Sequence, residues 1–371
     1  MDPSKEFCPN PDCKARGQVG KGNIVVHSQK EKRCKCTACK KTFSVTKGTV
    51  FYRLRKDPQD VERVIRLLSR GCPTQAVVFA FGWDERTVMS LQKREGQHCE
   101  GVQGHLVEKP QDLGQVQCDE IKVKEQGKSV WMAMAIAVKS RLWLGGVVSE
   151  HRDMALIVAL LTIVRACASA LGSPLYISTD GLAAYVTAIR LVFREPIPTG
   201  KKGRPRLQAW PRLLFAQVIK QYNKSRVGEV FRRIVQGTPE EIQKAIQRSQ
   251  GKGVINTSFI ERLNATFRSR LAALVRKGRS LARTTETLHY GMYLVGTIYN
   301  FCTYHDSLRI QGVTGGHKWL SRTPAMAAGI TDHQWSVHEL LTFKVPPPPW
   351  SPPKRRGRIS NEIRRLVERW C

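Results

Sequence analysis

The sequence predicts an α/β protein, a mixed β-sheet flanked by helices, placed after a small cysteine-rich module and a segment of short helices. Three observations lead there. Five of the eleven cysteines fall within the first forty residues, grouped in short knuckles. Between residues 60 and 97 the apolar positions recur at helical spacing. From residue 115 onward come three closely spaced strand-like runs, a long apolar helix and a further strand.

At 371 residues the chain has room for two or three domains and at least one sizeable core. Sixty-one Lys and Arg against thirty acids give a formal charge of +31, spread along the chain rather than held in one tail. Such an excess suits a long polyanion, because each phosphate neutralised by Lys or Arg releases counterions. The longest apolar run, residues 154–170, contains Arg165 and Cys167 and is too short and polar to span a bilayer. It is expected to be a buried helix of a soluble, cytoplasmic protein with no membrane partner. No signal peptide is apparent, so a metal site or free thiols are expected in place of a disulfide scaffold.

Cys8-x-x-x-x-Cys13 and Cys36-x-x-Cys39 form two knuckles around a strand-like segment at 23–28. Four thiolates so spaced predict a closed tetrahedral structural Zn²⁺ site in a zinc-ribbon module over residues 1–50. So small a module has little apolar core, and the metal would supply most of its folding energy. Cys34 competes for one position, but Cys36-x-x-Cys39 has the tighter turn.

Over 57–98, Val61, Val64, Ile65 and Leu68 mark one amphipathic helix. Pro73 opens a second, Gly82 makes a turn, and Asp84 caps a third. The third carries Arg86, Thr87, Ser90, Lys93 and Arg94, side chains able to touch bases or phosphates. Helix, Gly-containing turn and polar-basic helix are similar to a helix-turn-helix, whose second helix enters the major groove. An ordinary three-helix packing unit has the same pattern. Residues 99–114, rich in Gly, Gln and charge, are expected to be a linker.

Residues 115–124 alternate as a strand, 130–138 form a nearly continuous apolar strand, and 142–148 follow a short polar turn. Asp153 caps the long helix, and 175–179 is a strand ending at Asp180-Gly181. This is the strand and helix order of an RNase H-like fold, here expected over 115–310. It puts Asp119 in the first strand and Asp180 at the end of the fourth, neighbours in the sheet. An Asp-Gly pair alone is a common turn. Asp119 is less ordinary, since a carboxylate inside a sheet is costly unless paired or metal-bound.

Around residues 256–276 helical spacing sets Phe259, Leu263, Phe267, Leu271 and Leu274 on one side, and Glu261, Asn264 and Arg268 on the other. Ser258-x-x-Glu261 also has the form of a capping box. With Asp119 and Asp180, Glu261 makes three hard oxygen ligands, the kind that hold two divalent ions about 4 Å apart for phosphoryl displacement. Asp180 and Glu261 are far apart in the chain, and Glu229, Glu240 and Glu241 are rivals for the third carboxylate. The intervening insertion, 192–255, holds strand-like runs at 214–220 and 227–235 and a helix start at Thr238-Pro239-Glu240.

Gln117-Cys-Asp119-Glu-Ile, Ser178-Thr-Asp180-Gly and Asn256-x-x-x-Ile-Glu261-Arg-x-Asn264-x-x-x-Arg268 resemble the three blocks of a DDE transposase. The likeness is to the bacterial insertion-sequence-one-like family, whose members carry a zinc ribbon and a helix-turn-helix ahead of an RNase H-like core. It covers roughly residues 5–345. The resemblance implies a DNA transposase with Asp119, Asp180 and Glu261 as catalytic Mg²⁺ (or Mn²⁺) ligands and Arg268 near DNA. It further implies terminal inverted repeats and target DNA as partners, a homodimer or higher assembly, and a nucleoid-associated location in a prokaryote. A non-catalytic DNA-binding regulator and an integrase or RNase H-like nuclease are the alternatives.

Two basic stretches remain. Lys201, Lys202, Arg204 and Arg206 form a Gly/Pro-broken loop resembling an AT-hook core, suited to a minor groove or to phosphates. After a helical appendix at 311–345, the tail at 346–371 has a polyproline spacer, then Arg355, Arg356 and Arg358, then a short amphipathic pattern at Ile363, Leu366, Val367 and Trp370. His305, in a cluster similar to one that follows the catalytic glutamate in many transposases, is expected either near DNA and the metal site or packed in the core.

Overall fold

In the computed structural model, residues 1–197, 200, 203–223, 226–275, 280–312, 318–352, 365, 368 and 369 are described. They fall into two compact units, Met1–Gly48 with Lys344–Cys371, and Thr49–Phe343. The cysteine module at Met1–Gly48 and the segment from Lys344 onward make one unit.

In the first unit β1 (Ile24–Ser28), β2 (Arg33–Cys36) and β3 (Thr42–Ser44) make an antiparallel sheet in that order. The core is mostly sulfur: Cys8, Cys13, Cys34 and Cys36 with Ile24 and Phe43. Lys344 Nζ binds both Glu6 carboxylate oxygens, at 2.5 and 2.6 Å. The Pro347 carbonyl lies so close to Gly17 that a Cβ there would meet it at 2.3 Å. The polyproline stretch thus packs along the module at this point.

The second unit opens with α1 (Pro58–Leu68), α2 (Thr74–Phe81) and α3 (Glu85–Leu106). Val61, Val64, Ile65 and Leu68 are buried as expected. Gly82 takes a left-handed φ of 60°, and Asp84 accepts from the Arg86 amide. The linker expected at 99–114 is not one, because α3 runs on to Leu106. Its second half is apolar where it touches the sheet unit, burying Cys99, Val102 and Gln103. Counting glycines and charges missed that stripe. Gly96 permits the contact with a later helix: a Cβ there would stand 2.7 Å from Tyr290 Cα.

The sheet contains β4 (Gln115–Glu125), β5 (Lys128–Ala137), β6 (Trp143–Ser149), β7 (Leu175–Asp180), β10 (Leu213–Asn223) and β11 (Arg226–Gln236), in the order β11-β10-β7-β4-β5-β6. β4, β5 and β6 form an antiparallel meander, β7 is parallel to both β4 and β10, and β11 returns antiparallel. Between these strands lie α4 (Met154–Cys167), α5 (Ala184–Val192), and a hairpin of β8 (Arg194–Ile197) and β9 (Arg206–Ala209). α6 (Pro239–Gln250), opened by a capping box of Thr238 and Glu241, α7 (Ser258–Arg270) and α8 (Thr285–Cys302) follow. β12 (Ile310–Gln311), β13 (Trp319–Leu320), α9 (Pro324–Ala327) and α10 (Val337–Thr342) complete the unit.

The helices cover opposite faces of the sheet. Consecutive glycines of β6 show it: Gly145 lies against Ile163 of α4 and Gly146 against Met292 of α8. On the α8 face, the Trp143 ring packs against Phe267 of α7 at 5.8 Å and Tyr293 at 5.4 Å. Buried polar groups weld α3 to this face. Gln103 donates to the Trp143 and Leu144 carbonyls, and Asn300 Nδ2 donates to Gln103 Oε1 and to the Trp143 carbonyl. No helix among the described residues is long and apolar enough to cross a membrane.

Candidate active site

Parallel pairing of β4 with β7 aligns Gln117 with Ser178. Two residues further along each strand stand Asp119 and Asp180, at one level and on one face. Oxygens of Asp119, Glu120 and Asp180 lie within 4.8 Å of one another. Burial first, then the Glu120 and Asp180 charges, push the Asp119 carboxyl up to about 7. Glu120, which the sequence reading passed over, is raised mainly by burial.

Glu120 points to the α5 face, where it accepts from the hydroxyl of buried Tyr185 and from Arg152 Nε and Nη2 at 3.0 and 2.8 Å. The same Nη2 lies 2.8 Å from Asp180 Oδ2. Arg152 is further held 5.0 Å over the Trp131 ring. Glu120 and Asp180 are thus tied through one guanidinium.

Glu261 reaches the same place from α7. An open cavity of about 570 Å³ is lined by Asp119, Arg152, Asp180, Gly181, Lys220, Thr257 and Glu261, among others. Glu261 is not within the tight carboxylate group; it pairs with Lys220 and accepts from Thr257 Oγ1 at 2.7 Å. The capping box with Ser258 does not form. Gln117 replaces it: its Oε1 accepts from the Phe259 and Ile260 amides at 2.9 and 3.0 Å, and its Nε2 donates to the Asn256 carbonyl and Oδ1. A strand side chain caps the helix and sets its register on β4.

Two other helix assignments change. Asn264 faces inward, 2% exposed, and donates to Asp119 Oδ2 at 2.7 Å, while its own Oδ1 has no partner among the described residues. The buried face is Ile260, Leu263, Asn264 and Phe267; Phe259 is only half-buried, and Leu271 and Leu274 lie beyond the helix end. Arg268 is half-buried in the last turn and is not among the cavity-lining residues. His305 also stands away from the carboxylates, Nδ1 3.0 Å from Ser307 Oγ, with its ring 6.2 Å from that of Tyr299.

No family model matches the chain. A search of curated proteins likewise returned no match.

A second group whose atoms could hold a metal ion is Cys8, Cys13, Cys36 and Cys39, with all four sulfurs within 4.8 Å of one another. Cys8 and Cys39 are 3.6 Å apart and Cys13 and Cys36 3.8 Å. Cys34 stays outside, its Sγ 3.9 Å from Met1 Sδ. Burial acts to raise Cys39, but the Lys41 amide, the Asn10 side chain and the neighbouring thiols outweigh it and bring it down to about 7. Burial raises Cys8 and Cys13 in the same cluster, so ligation would have to displace their protons.

The expected DNA-contacting residues divide. Arg86 and Ser90 are exposed on α3, and Thr87 is half-buried. Lys93 is exposed and paired with Glu286 at 2.7 Å. Arg94 is not a free contact residue: its Nη1 donates to the Tyr52 carbonyl at 2.6 Å and lies 3.4 Å from that of Val50. Arg204 and Arg206 are exposed on the β8–β9 hairpin. Lys201, Lys202, Arg355, Arg356, Arg358 and the tail pattern at Ile363, Leu366, Val367 and Trp370 lie outside the described residues.

Proposed function

We propose that the chain is a DDE-type DNA transposase, cleaving DNA strands at element ends and joining the exposed 3′-hydroxyl to target DNA. The observation that carries this reading is the convergence of Asp119 and Asp180, each two residues past the last paired position of adjacent parallel strands, with Glu261 lining the same cavity from α7. The meander, helix and parallel strand support an RNase H-like core. The three sequence blocks supply its acids.

The donor set fits divalent metal. Hard oxygens converge where burial and neighbouring acids raise the Asp119 carboxyl, and Asn264 Oδ1, without a partner among the described residues, is polar and close by. Bound there, Mg²⁺ or Mn²⁺ would polarise the scissile phosphate and activate its attacking oxygen. Asp119 and Asp180 would be its chief ligands, and Glu261 would join them on leaving Lys220. Asn264 orients Asp119, while Glu120 and Tyr185 fix Arg152 behind Asp180. The four N-terminal cysteines suit a structural Zn²⁺ ion. α2, Gly82 and α3 support a helix-turn-helix presenting Arg86 and Ser90 to terminal repeats. Joining two ends requires at least a dimer.

Mg²⁺-dependent nicking and joining of terminal-repeat duplexes tests this reading, with wild type beside Asp119→Asn, Asp180→Asn and Glu261→Gln. Each substitution is expected to abolish both steps; equal activity in wild type and variants would refute the catalytic assignment. A second reading is a DNA-binding regulator that does not cleave. It is favoured by Arg152 and Lys220, which neutralise the acids without any ion. Terminal-repeat binding without cleavage in any divalent metal would select it.

A further inference from the structure

We infer that the second unit carries an anion site apart from the acidic cavity, in which Arg70, Arg141, Arg262 and Arg270 together hold a phosphate of the DNA backbone. The identity of the ligand rests on the proposed function; the site itself rests on four guanidinium groups gathered around the end of α8.

Arg141, in the β5–β6 turn with a left-handed φ of 57°, donates to the Val138 carbonyl and lies 4.0 Å over the Phe259 ring at the start of α7. Arg262 is on the same helix, three residues past Phe259 and one past Glu261. Arg270, in its last turn, stands 6.0 Å over the Tyr299 ring, with Nη1 3.4 Å from Thr303 Oγ1. Tyr299 in turn meets His305 edge-on. Gly71, with φ of 84°, approaches α7 so closely that a Cβ would lie 2.7 Å from the Ser269 carbonyl, which brings Arg70 beside Arg270.

Among the described residues, none of these four arginines has a carboxylate within ion-pair distance. Burial, with Arg262 adding to it, pulls Arg141 below the ordinary arginine range. Burial, with Arg70 adding to it, does the same to Arg270. Burial and then Arg141 and Arg262 hold His305 below its usual value.

Arg141 and Arg270 are half-buried and held over aromatic rings, with Arg262 and Arg70 exposed beside them; such neighbouring like charges repel one another, so an incoming anion is favoured. Planar guanidinium forks match phosphate oxygens in pairs, and several converging on one point suit a phosphodiester better than a lone carboxylate. α7 then faces two ways. Glu261 looks into the acidic cavity, and Arg262, about 100° further round the helix, belongs to the arginine group. One helix would hold the backbone beside the strand that the acids address.

The test is duplex DNA binding by fluorescence anisotropy from low to high salt, using the full chain and its Arg141→Gln, Arg262→Gln, Arg270→Gln and Arg270→Lys variants. Arg262 is exposed, so its variant reports even if a half-buried replacement misfolds. Each Gln variant should bind roughly tenfold more weakly, with a salt slope shallower by about one. Arg270→Lys should restore the slope but only part of the affinity. Wild-type affinity and slope in all three Gln variants would overturn the site. Thermal shift with inorganic pyrophosphate separates this from the DNA reading. If wild type binds no DNA, that reading falls; stabilisation by pyrophosphate that the Gln variants lose would still uphold the anion site, and its absence would overturn that too.

Discussion

Arg152 holds Asp180 at 2.8 Å while remaining anchored on Glu120, so the acid at the end of β7 already has a cation beside it. A divalent ion must compete with that guanidinium for Asp180. Arg152→Gln should therefore tighten Mn²⁺ binding measured by calorimetry, by roughly three- to tenfold for loss of about 0.7–1.4 kcal/mol of partly exposed ion pairing. Weaker binding in the variant would mean that Arg152 supports the ion site instead of competing for it.

Gln117 should matter to stability more than its place in a sequence motif suggests. Its side chain caps two α7 amides and binds Asn256 twice, in full burial. Gln117→Leu would leave the Phe259 and Ile260 amides without their acceptor, while Asn256 keeps Ser178 and Ser258 as donors; urea unfolding should show a loss of about 2–4 kcal/mol. A loss below about 0.5 kcal/mol would show that the helix is held on β4 by its apolar face alone.

Metal content should distinguish the two cysteines of β2. Atomic emission on purified chain is expected to find one Zn²⁺ in wild type and in Cys34→Ser, and none in Cys36→Ser. Zinc retained in Cys36→Ser and lost in Cys34→Ser would reverse the ligand assignment.

Glu95 gives the fold a pH dependence of its own. It is fully buried on α3 with neither oxygen partnered among the described residues, and burial raises its carboxyl well above the usual range. The folded chain keeps this proton while the unfolded chain releases it above its ordinary pKa of about 4.3. The associated stability is present below that pKa and falls as pH rises, by about 1.4 kcal/mol per unit, until the folded pKa is reached. Glu95→Met should remove this slope, so its advantage over wild type grows between pH 5 and pH 8 in urea titrations. A constant difference across that range would contradict a buried neutral acid.

Periodicity and spacing make the strands β4 to β7 and the helices α1 and α4 legible, because these bury apolar patterns. Pairwise relations were harder. Asp119 and Asp180 were recognisable as strand residues, but Glu120 appeared to be only a neighbour, since nothing local shows Tyr185 and Arg152 waiting on the opposite face. Helical phase alone turns Asn264 outward; the hydrogen bond to Asp119, 145 positions away, turns it in. Ser258 and Glu261 matched a local cap, yet the cap came from Gln117, 142 positions from Phe259. Long-range polar pairing overruled local pattern in each case. The end of α3 was missed for another reason: its Gly and Gln residues pack a buried seam that composition alone does not reveal.

That seam has a mechanical consequence. α3 has 22 residues, about 33 Å of continuous rod, with Arg86 and Ser90 at one end and Gln103 locked to the sheet at the other. A surface that reads DNA at the first end would be coupled stiffly to the acids rather than tethered to them. The number of base pairs between recognition and cleavage would then be fixed by the span of a helix, and inserting a single residue into it would shift the phase of the cut as well as its distance.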